Sequence, residues 1–219
     1  MSEGRITAPQ SIEERSFQII GAEWGQRDFA PQVEPIVKRV IHATADFSFA
    51  DSLTFSPGAV QHALDVLAAG GATIVTDATM ALAGISKPAL AQLGCSCTCF
   101  IAEPDVAERA RATGATRSRV SMDKAATLEG PLIFAIGNAP TALLRVCELV
   151  DEGALAPELV IGVPVGFVNV VESKEELLAC DVSSIVARGR KGGSTVAAAI
   201  VNALLYQLTR DAGGQGAPR

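Results

Sequence analysis

The chain has 219 residues, 48% apolar and 19% charged, with 20 glycines, a composition typical of one compact α/β domain and not of a disordered or fibrous protein. Its net charge of −6 argues against a general nucleic-acid groove, which needs clustered cations. No apolar run reaches the roughly 18 residues that span a bilayer and no secretory signal is visible, so we expect a cytoplasmic protein that binds neither nucleic acid nor membrane.

Helical patterns come first along the chain, at residues 11–26, 32–43 and 57–67. Ser11 and Glu14 have capping-box spacing, which predicts that the first helix begins at Ser11. After these helices, five apolar β-type runs alternate with further helical patterns. The runs are 72–76, 95–101, 131–136, 159–165 and 184–187, and the helical patterns are 87–93, 106–113, 140–150, 174–179 and 194–208.

This alternation predicts a three-layer α/β domain with a mostly parallel, about five-stranded sheet flanked by helices and preceded by an N-terminal helical segment. Near-continuous apolar runs such as residues 131–136 suit strands that are buried on both faces. We assign the domain to residues 11–210, with an N-terminal extension at 1–10 and a flexible Gly-rich tail at 211–219.

Three of the five cysteines alternate along the chain at Cys95, Cys97 and Cys99. An odd number of cysteines without a signal argues against a disulfide scaffold. The run suggests a metal site, but zinc ligands are usually separated by two or more residues. Since alternate residues of a strand share a face, we interpret the run as small hydrophobic side chains on a buried face and predict no metal site.

His42 is one of two histidines, and it lies where an amphipathic helical pattern ends in small and polar residues. An imidazole titrates near neutral pH, so His42 is the best candidate for moving a proton. The alternative is a histidine that only caps or packs a helix end. His62 lies inside a plain helical pattern and is interpreted as structural.

Ligands of open parallel sheets bind beyond the carboxyl ends of the strands, where this chain carries polar residues and glycines. The segment 188–194 combines three cations, three glycines and a predicted helix start, which favours an anion site that could hold several carboxylates. Alternatively, its glycines only turn the chain. Neither the phosphate-loop pattern nor Gly-x-Gly-x-x-Gly is present, so nucleotide binding is not supported. The basic cluster 116–119 is a second candidate, or a solvated surface.

Seven segments, in this order, resemble the precorrin-8X methylmutase family. They are residues 15–20, 39–46, 77–87, 116–118, 136–142, 164–168 with 172–174, and 189–194 with 202–204. The resemblance covers roughly residues 10–208 and is nearest to the cobalt-precorrin-8 branch, because of Ser-Phe-Gln-Ile-Ile at 16–20 and His-Ala-Thr-Ala-Asp-Phe at 42–47. The cysteine-rich run at 94–100 departs from the family pattern.

The resemblance implies an isomerase of cobalamin biosynthesis that moves a methyl group from C-11 to C-12 of a tetrapyrrole, with His42 as the catalytic proton donor. It also implies a homodimer with active sites near the interface and no cofactor, since any cobalt belongs to the substrate. The implied substrate-binding residues comprise an apolar floor, cations and polar groups for the ring's carboxylates. They are Arg15, Ser16, Asp77, Met80, Gly84, Ile85, Lys87, Thr116, Arg117, Asn138, Arg190 and Lys191.

Two other functions remain open on the sequence alone. A tetrapyrrole carrier would bind the same product and pass it to the next enzyme without chemistry. A small α/β enzyme acting on a sugar phosphate would also need an anion site, although neither a metal cluster nor a phosphate loop supports it. A spectral change of the tetrapyrrole with catalytic amounts of protein would separate the first possibility from the methylmutase.

Overall fold

A computed structural model describes residues 8–209 of the chain. Its sheet has six strands in the order β1-β6-β5-β4-β2-β3. These strands are β1 Leu53–Phe55, β2 Thr73–Thr76, β3 Ser96–Thr98, β4 Leu132–Ile136, β5 Leu159–Gly162 and β6 Ser184–Ala187. All neighbours pair in parallel except β1, which runs antiparallel to β6. The predicted α/β fold is therefore confirmed, with one strand more than expected.

Eleven helices accompany the sheet within the described residues. They are α1 Pro9–Glu23, α2 Glu34–Thr44, α3 Phe49–Ser52, α4 Ala59–Ala69, α5 Thr79–Gly84, α6 Lys87–Gln92, α7 Pro104–Thr113, α8 Arg117–Ala125, α9 Pro140–Asp151, α10 Val170–Ala179 and α11 Ser194–Thr209. The predicted start at Ser11 is wrong, because α1 begins at Pro9. A proline fits the first helical position, since the missing N–H would have no partner there. The predicted tail at 211–219 lies outside the described residues.

Two hydrophobic cores lie on opposite faces of the sheet, which gives the predicted three layers. Ile133 and Ala135 of β4 pack under α2, α4, α5, α6 and α11, with α1 outside α2. Their neighbours Leu132, Phe134 and Ile136 pack under α7, α8, α9 and α10. Every residue of β4 is buried, as predicted for a strand covered on both faces. No helix of residues 8–209 is long and apolar enough to cross a bilayer.

Candidate functional site

The carboxyl ends of the five parallel strands lie along one edge of the sheet, and the candidate site occupies this edge. The order of the strands places the loop 188–193 after β6 beside the loop 163–169 after β5. The loop 137–139 after β4 comes next, followed by residues 77 and 78 after β2. Because β1 is antiparallel, the segment 45–52 before it reaches the same edge. The end of α2, which carries His42, therefore arrives at the predicted ligand loops.

His42 lies in the last turn of α2 and is exposed. Its ring stacks on Phe17 of α1, with 5.2 Å between ring centroids and 15° between planes. Within residues 8–209 the imidazole makes no hydrogen bond, so both nitrogens face solvent or a ligand. Ala45, in the left-handed conformation, ends the helix by donating its N–H to the Ile41 carbonyl. The imidazole is thus oriented by stacking and left open for proton transfer.

Arg39 holds α1 against α2 beside His42. Its guanidinium carbon lies 4.8 Å from the Phe17 ring centroid, and it pairs with Glu13 at 2.6 Å. Two predicted substrate residues, Arg15 and Ser16, lie on the same helix α1. The exposed Arg15 donates to Gln18 at 3.3 Å, whereas the Ser16 hydroxyl donates to a carbonyl of its own helix. Arg15 is therefore the more available of the two for a ligand.

Lys191 connects the end of α2 to the loop after β6. Its Nζ donates to Asp46 Oδ2 at 2.6 Å and to Ser48 Oγ at 2.9 Å. The hydrogen bonds from Lys191 and Ser48 lower the pKa of Asp46 to about 2. The ion pair is exposed, so it aligns the two segments more than it stabilises the fold. The pair therefore holds Lys191 next to the segment that follows His42 at the end of α2.

Apolar side chains stand exposed next to these polar groups. Phe167 is 83% exposed and Val168 76%, both in the loop after β5, and Met80 at the start of α5 is 73% exposed. The Arg190 guanidinium carbon lies 5.5 Å from the Phe167 ring centroid. Large apolar groups beside cations suit a flat apolar ligand with an anionic rim.

Asp77 does not have the expected place, because its side chain is only 1% exposed. Its carboxylate accepts the backbone N–H groups of Gly137, Asn138 and Ala139. Burial raises the pKa of the Asp77 carboxyl, an effect that these three donors oppose. Asp77 therefore positions the loop after β4 and is closed to a ligand, whereas the Asn138 side chain is exposed at the same edge.

The predicted apolar floor is only partly available. Ile85 is 2% exposed and belongs to the core, so its side chain does not form a floor. A Cβ on Gly84 would lie 2.9 Å from the Cβ of Ala198, so this glycine allows α5 to pack closely on α11. Asn202 of α11 fixes the same turn by donating to the Gly84 carbonyl at 2.8 Å. Of the three predicted floor residues, Met80 is the one that presents a large exposed side chain.

Lys87, Thr116 and Arg117 lie away from His42. Lys87 donates to the Leu82 carbonyl and to Cys97 Sγ, beside the edge strand β3. Thr116 caps α8, which packs on the opposite face of the sheet from α2, and its hydroxyl donates to Thr141 at the start of α9. Arg117 is exposed and lines a cavity of about 420 Å³ with Arg111. Lys87 therefore lies at the β3 end of the sheet, and Arg117 lies on the face of the sheet opposite to α2.

Lys174 belongs to one of the segments that resemble the family, 172–174, but it is not among the predicted site residues. It is fully buried on α10, and its Nζ donates to the carbonyls of Gly189 at 2.7 Å and Lys191 at 2.8 Å. Burial lowers its pKa to about 8. The sequence around it is acidic, with Glu172, Glu175 and Glu176 nearby, and such a pattern is typical of a solvated helix face, so the sequence does not indicate that Lys174 is buried.

The remaining histidine and the cysteines have structural surroundings. His62 is exposed on α4 and pairs with Glu158 at 2.8 Å. All five cysteines are free, and Cys95 and Cys97 pack against the core under α4 and α6. Between residues 8 and 209, no group of three His, Cys, Asp or Glu side chains is placed to hold a metal ion.

Comparison with known proteins identifies a family. The profile described as "Precorrin-8X methylmutase" matches residues 11–207. The chain is 47% identical to cobalt-precorrin-8 methylmutase of Salmonella typhimurium, over 93% of this chain and 97% of that one. It is 44% identical to the protein of the same name from Priestia megaterium, over 90% and 87% of the two chains. The solved precorrin-8X methylmutase of Thermus thermophilus superposes with a TM-score of 0.83 and 41% identity, over 93% and 99%.

Proposed function

The chain belongs to the precorrin-8X methylmutase family, and we propose that it performs the methyl migration of that family with His42 as proton donor. It is an isomerase of cobalamin biosynthesis. The proposed substrate is precorrin-8X or cobalt-precorrin-8, whose methyl group moves from C-11 to C-12. The carrier function is not favoured, because the relatives are named as mutases.

One observation carries the proposed mechanism: the exposed imidazole of His42 shares one edge of the sheet with the cationic loop 188–193 and with exposed apolar side chains. A flat ring could rest on Phe167 and Met80 while its carboxylates reach Arg190 and Lys191. Arg15 would close the site from α1. Asp77 and Lys174 would not contact the substrate but would fix the conformations of the loops after β4 and β6.

Protonation by His42 would make the macrocycle electron-poor and ease the migration of the methyl group. The bond between C-11 and the methyl group breaks and the bond to C-12 forms, and the ring later loses a proton, so that the product is an isomer of the substrate. General acid catalysis of this kind contributes about 10² to 10⁴ in rate. Orientation and exclusion of water by the apolar walls would supply further acceleration.

The test compares the two histidines. We expect His42→Ala to bind product as the parent does and to lose about 10² to 10⁴ in kcat, measured by the absorbance change of the tetrapyrrole. His62→Ala is the matched control, because His62 lies on α4 and pairs with Glu158, and it should turn over at the parent rate. Parent turnover in His42→Ala would refute the assigned role. Binding by the parent chain without any spectral change would favour the carrier.

The proposal extends to the setting of the enzyme. We propose a homodimer whose active sites lie near the interface, since Phe167 and Val168 leave an apolar surface beside the site. We propose a cytoplasmic enzyme without a resident cofactor, in which any cobalt enters with the substrate. Size-exclusion chromatography with light scattering tests the homodimer. Unchanged turnover in the presence of a chelator tests whether the enzyme works without a resident metal ion.

A further inference from the structure

Lys174 is an isolated buried cation directly beneath the loop after β6. Its side chain is fully buried, and no carboxylate of residues 8–209 pairs with it. Burying an ammonium without a counter-ion costs free energy, which its two carbonyl partners offset only in part. The neighbouring Arg188 is already paired with Glu175 at 2.6 Å. Because burial of this ammonium is unfavourable, we expect Lys174 to have a role that an apolar side chain of the same size could not fill.

The two carbonyls that Lys174 binds determine which way the loop presents its amides. The described chain has no cis peptide bond, and in a planar trans peptide the C=O and the following N–H point in opposite directions. Because Lys174 turns the carbonyls of Gly189 and Lys191 inward, the N–H groups of Arg190 and Gly192 point outward. Neither N–H has an acceptor within residues 8–209. The loop therefore offers two unpaired donors to the outside.

The loop is held in this conformation from its other side as well. Gly193 donates to the Val163 carbonyl at 2.8 Å, and Gly166 donates to the Arg190 carbonyl at 3.2 Å. A Cβ on Gly192 would lie 2.1 Å from the Val163 carbonyl oxygen, so only glycine allows this close approach. The two outward amides are consequently fixed before any ligand arrives.

We infer that Lys174 is a positioning residue for substrate binding, which aims the amides of Arg190 and Gly192 at one carboxylate of the tetrapyrrole. Backbone N–H groups of one loop that point to the same side form a concavity that favours anions. The ammonium beneath adds positive charge, and the Arg190 and Lys191 side chains are attached to the same loop. The identity of the ligand rests on the proposed function, whereas the positioning itself rests on the geometry of the loop.

The test compares a carboxylic acid with its amide. The probes are cobyrinic acid and its per-amidated form, in which every carboxyl group is a primary amide. The parent chain should bind the acid more tightly than the amide. Lys174→Met should lower this ratio of affinities about tenfold, because the amides of Arg190 and Gly192 are no longer held towards the carboxylate and a charge-assisted hydrogen bond between them is lost. Lys124→Met is the matched control, since Lys124 pairs with Glu103 and Asp105 on the opposite face of the sheet, and it should keep the parent preference. Equal losses of affinity for acid and amide in Lys174→Met would overturn the inference.

A second measurement does not depend on the folding of the variant. In the ¹⁵N-labelled parent chain, the amide protons of Arg190 and Gly192 should move downfield when cobyrinic acid binds, and much less with the per-amidated form. Unchanged signals with the acid would overturn the inference. Because these measurements require binding and no turnover, they separate the two hypotheses. A chain that binds in this way without isomerising its substrate would refute the proposed function alone, whereas turnover with unchanged amide signals would refute the inference alone.

Discussion

Two charges of opposite sign, Asp77 and Lys174, are buried beneath neighbouring parts of the same sheet edge. Asp77 accepts three N–H groups from the loop after β4, and Lys174 donates to two carbonyls of the loop after β6. Since the C=O and N–H of a trans peptide point in opposite directions, the carbonyls of Gly137 and Asn138 point away from Asp77, and of these two residues Asn138 is exposed whereas Gly137 is buried. Lys174 leaves amides facing outward. One loop is therefore an acceptor surface and the other a donor surface.

This contrast shows how the edge can orient an asymmetric ligand. A carboxylate would be attracted to the loop after β6 and repelled by the carbonyls after β4. Groups that carry hydrogen, such as a protonated ring nitrogen, would prefer the loop after β4. The polarity of each loop depends on a single buried side chain, so substitutions of the two buried charges should affect the protein differently from substitutions of exposed ones.

The largest expected effect is on the acceptor surface. In Asp77→Asn the amide oxygen can take the place of Oδ2 and keep the N–H groups of Asn138 and Ala139, but the new NH₂ group then faces the Gly137 N–H, so that two buried donors oppose each other without an acceptor. We expect the free energy of unfolding to fall by about 4 kcal/mol, measured by urea denaturation. The control Asp65→Asn, at an exposed position on α4, should change it by less than about 0.5 kcal/mol. Equal, small losses in both variants would show that Asp77 does not hold the loop.

The buried Lys174 beneath the donor surface should make the free energy of unfolding depend on pH. The pKa of Lys174 is about 8 in the folded chain, against 10.5 without burial. Between these values the unfolded chain binds a proton that the folded chain does not, so the free energy of unfolding should rise with pH, by an amount on the order of 3 kcal/mol.

This rise should be absent from Lys174→Met, and the difference between the two urea series isolates it. The nearby Arg188–Glu175 pair does not interfere, because pairing raises the pKa of Arg188 and lowers that of Glu175, away from this range. The same slope in parent and variant would mean that Lys174 is not the buried cation that the structure shows.

The smallest effect is expected for the exposed ion pair of Asp46 and Lys191. Asp46→Asn should lower the free energy of unfolding by no more than about 1 kcal/mol, because water screens the pair. Since the pKa of Asp46 is lowered to about 2, its contribution is present above pH 3.8 and is lost as the pH falls towards 2. Acid titration of parent and variant followed by circular dichroism checks this, and a loss as large as that of Asp77→Asn would contradict the distinction between buried and exposed charges.

The sequence predicted the parts of the fold that carry a long repeating pattern. Strands β2 to β6 lie within the predicted apolar runs, and α2 buries Ile36, Val37, Val40 and Ile41 as its amphipathic pattern indicated. Strand β1 was missed because three residues are too few to show an alternation. Helix α8 was missed because its first turn is polar and basic, so that the sequence resembled a surface loop.

The strand pattern correctly predicted that the polar loops lie at one edge of the sheet, but it was less accurate about which of their side chains are buried. Parallel strands bring their following residues to one edge, so the neighbourhood of Asn138, Arg190 and Lys191 followed from the strand pattern. Whether a charged residue at that edge faces outward or inward depends on tertiary packing. Asp77 was therefore expected to bind the ligand and is instead buried beneath the loop after β4, while Lys174 is fully buried although its neighbours in sequence are acidic.

The two outer strands of the sheet, β1 and β3, are also its shortest, with three residues each. Lys87 reaches over β3 to the Cys97 sulfur. Short edge strands offer few free peptide groups with which another chain could pair, and a lysine next to an edge strand disfavours such pairing further. Both features protect a protein against edge-to-edge aggregation. The three cysteines in and next to β3 therefore lie on a strand that offers little to pair with. Copies of this protein should therefore associate through side-chain surfaces on helices and loops, and not by extending their sheets into one another.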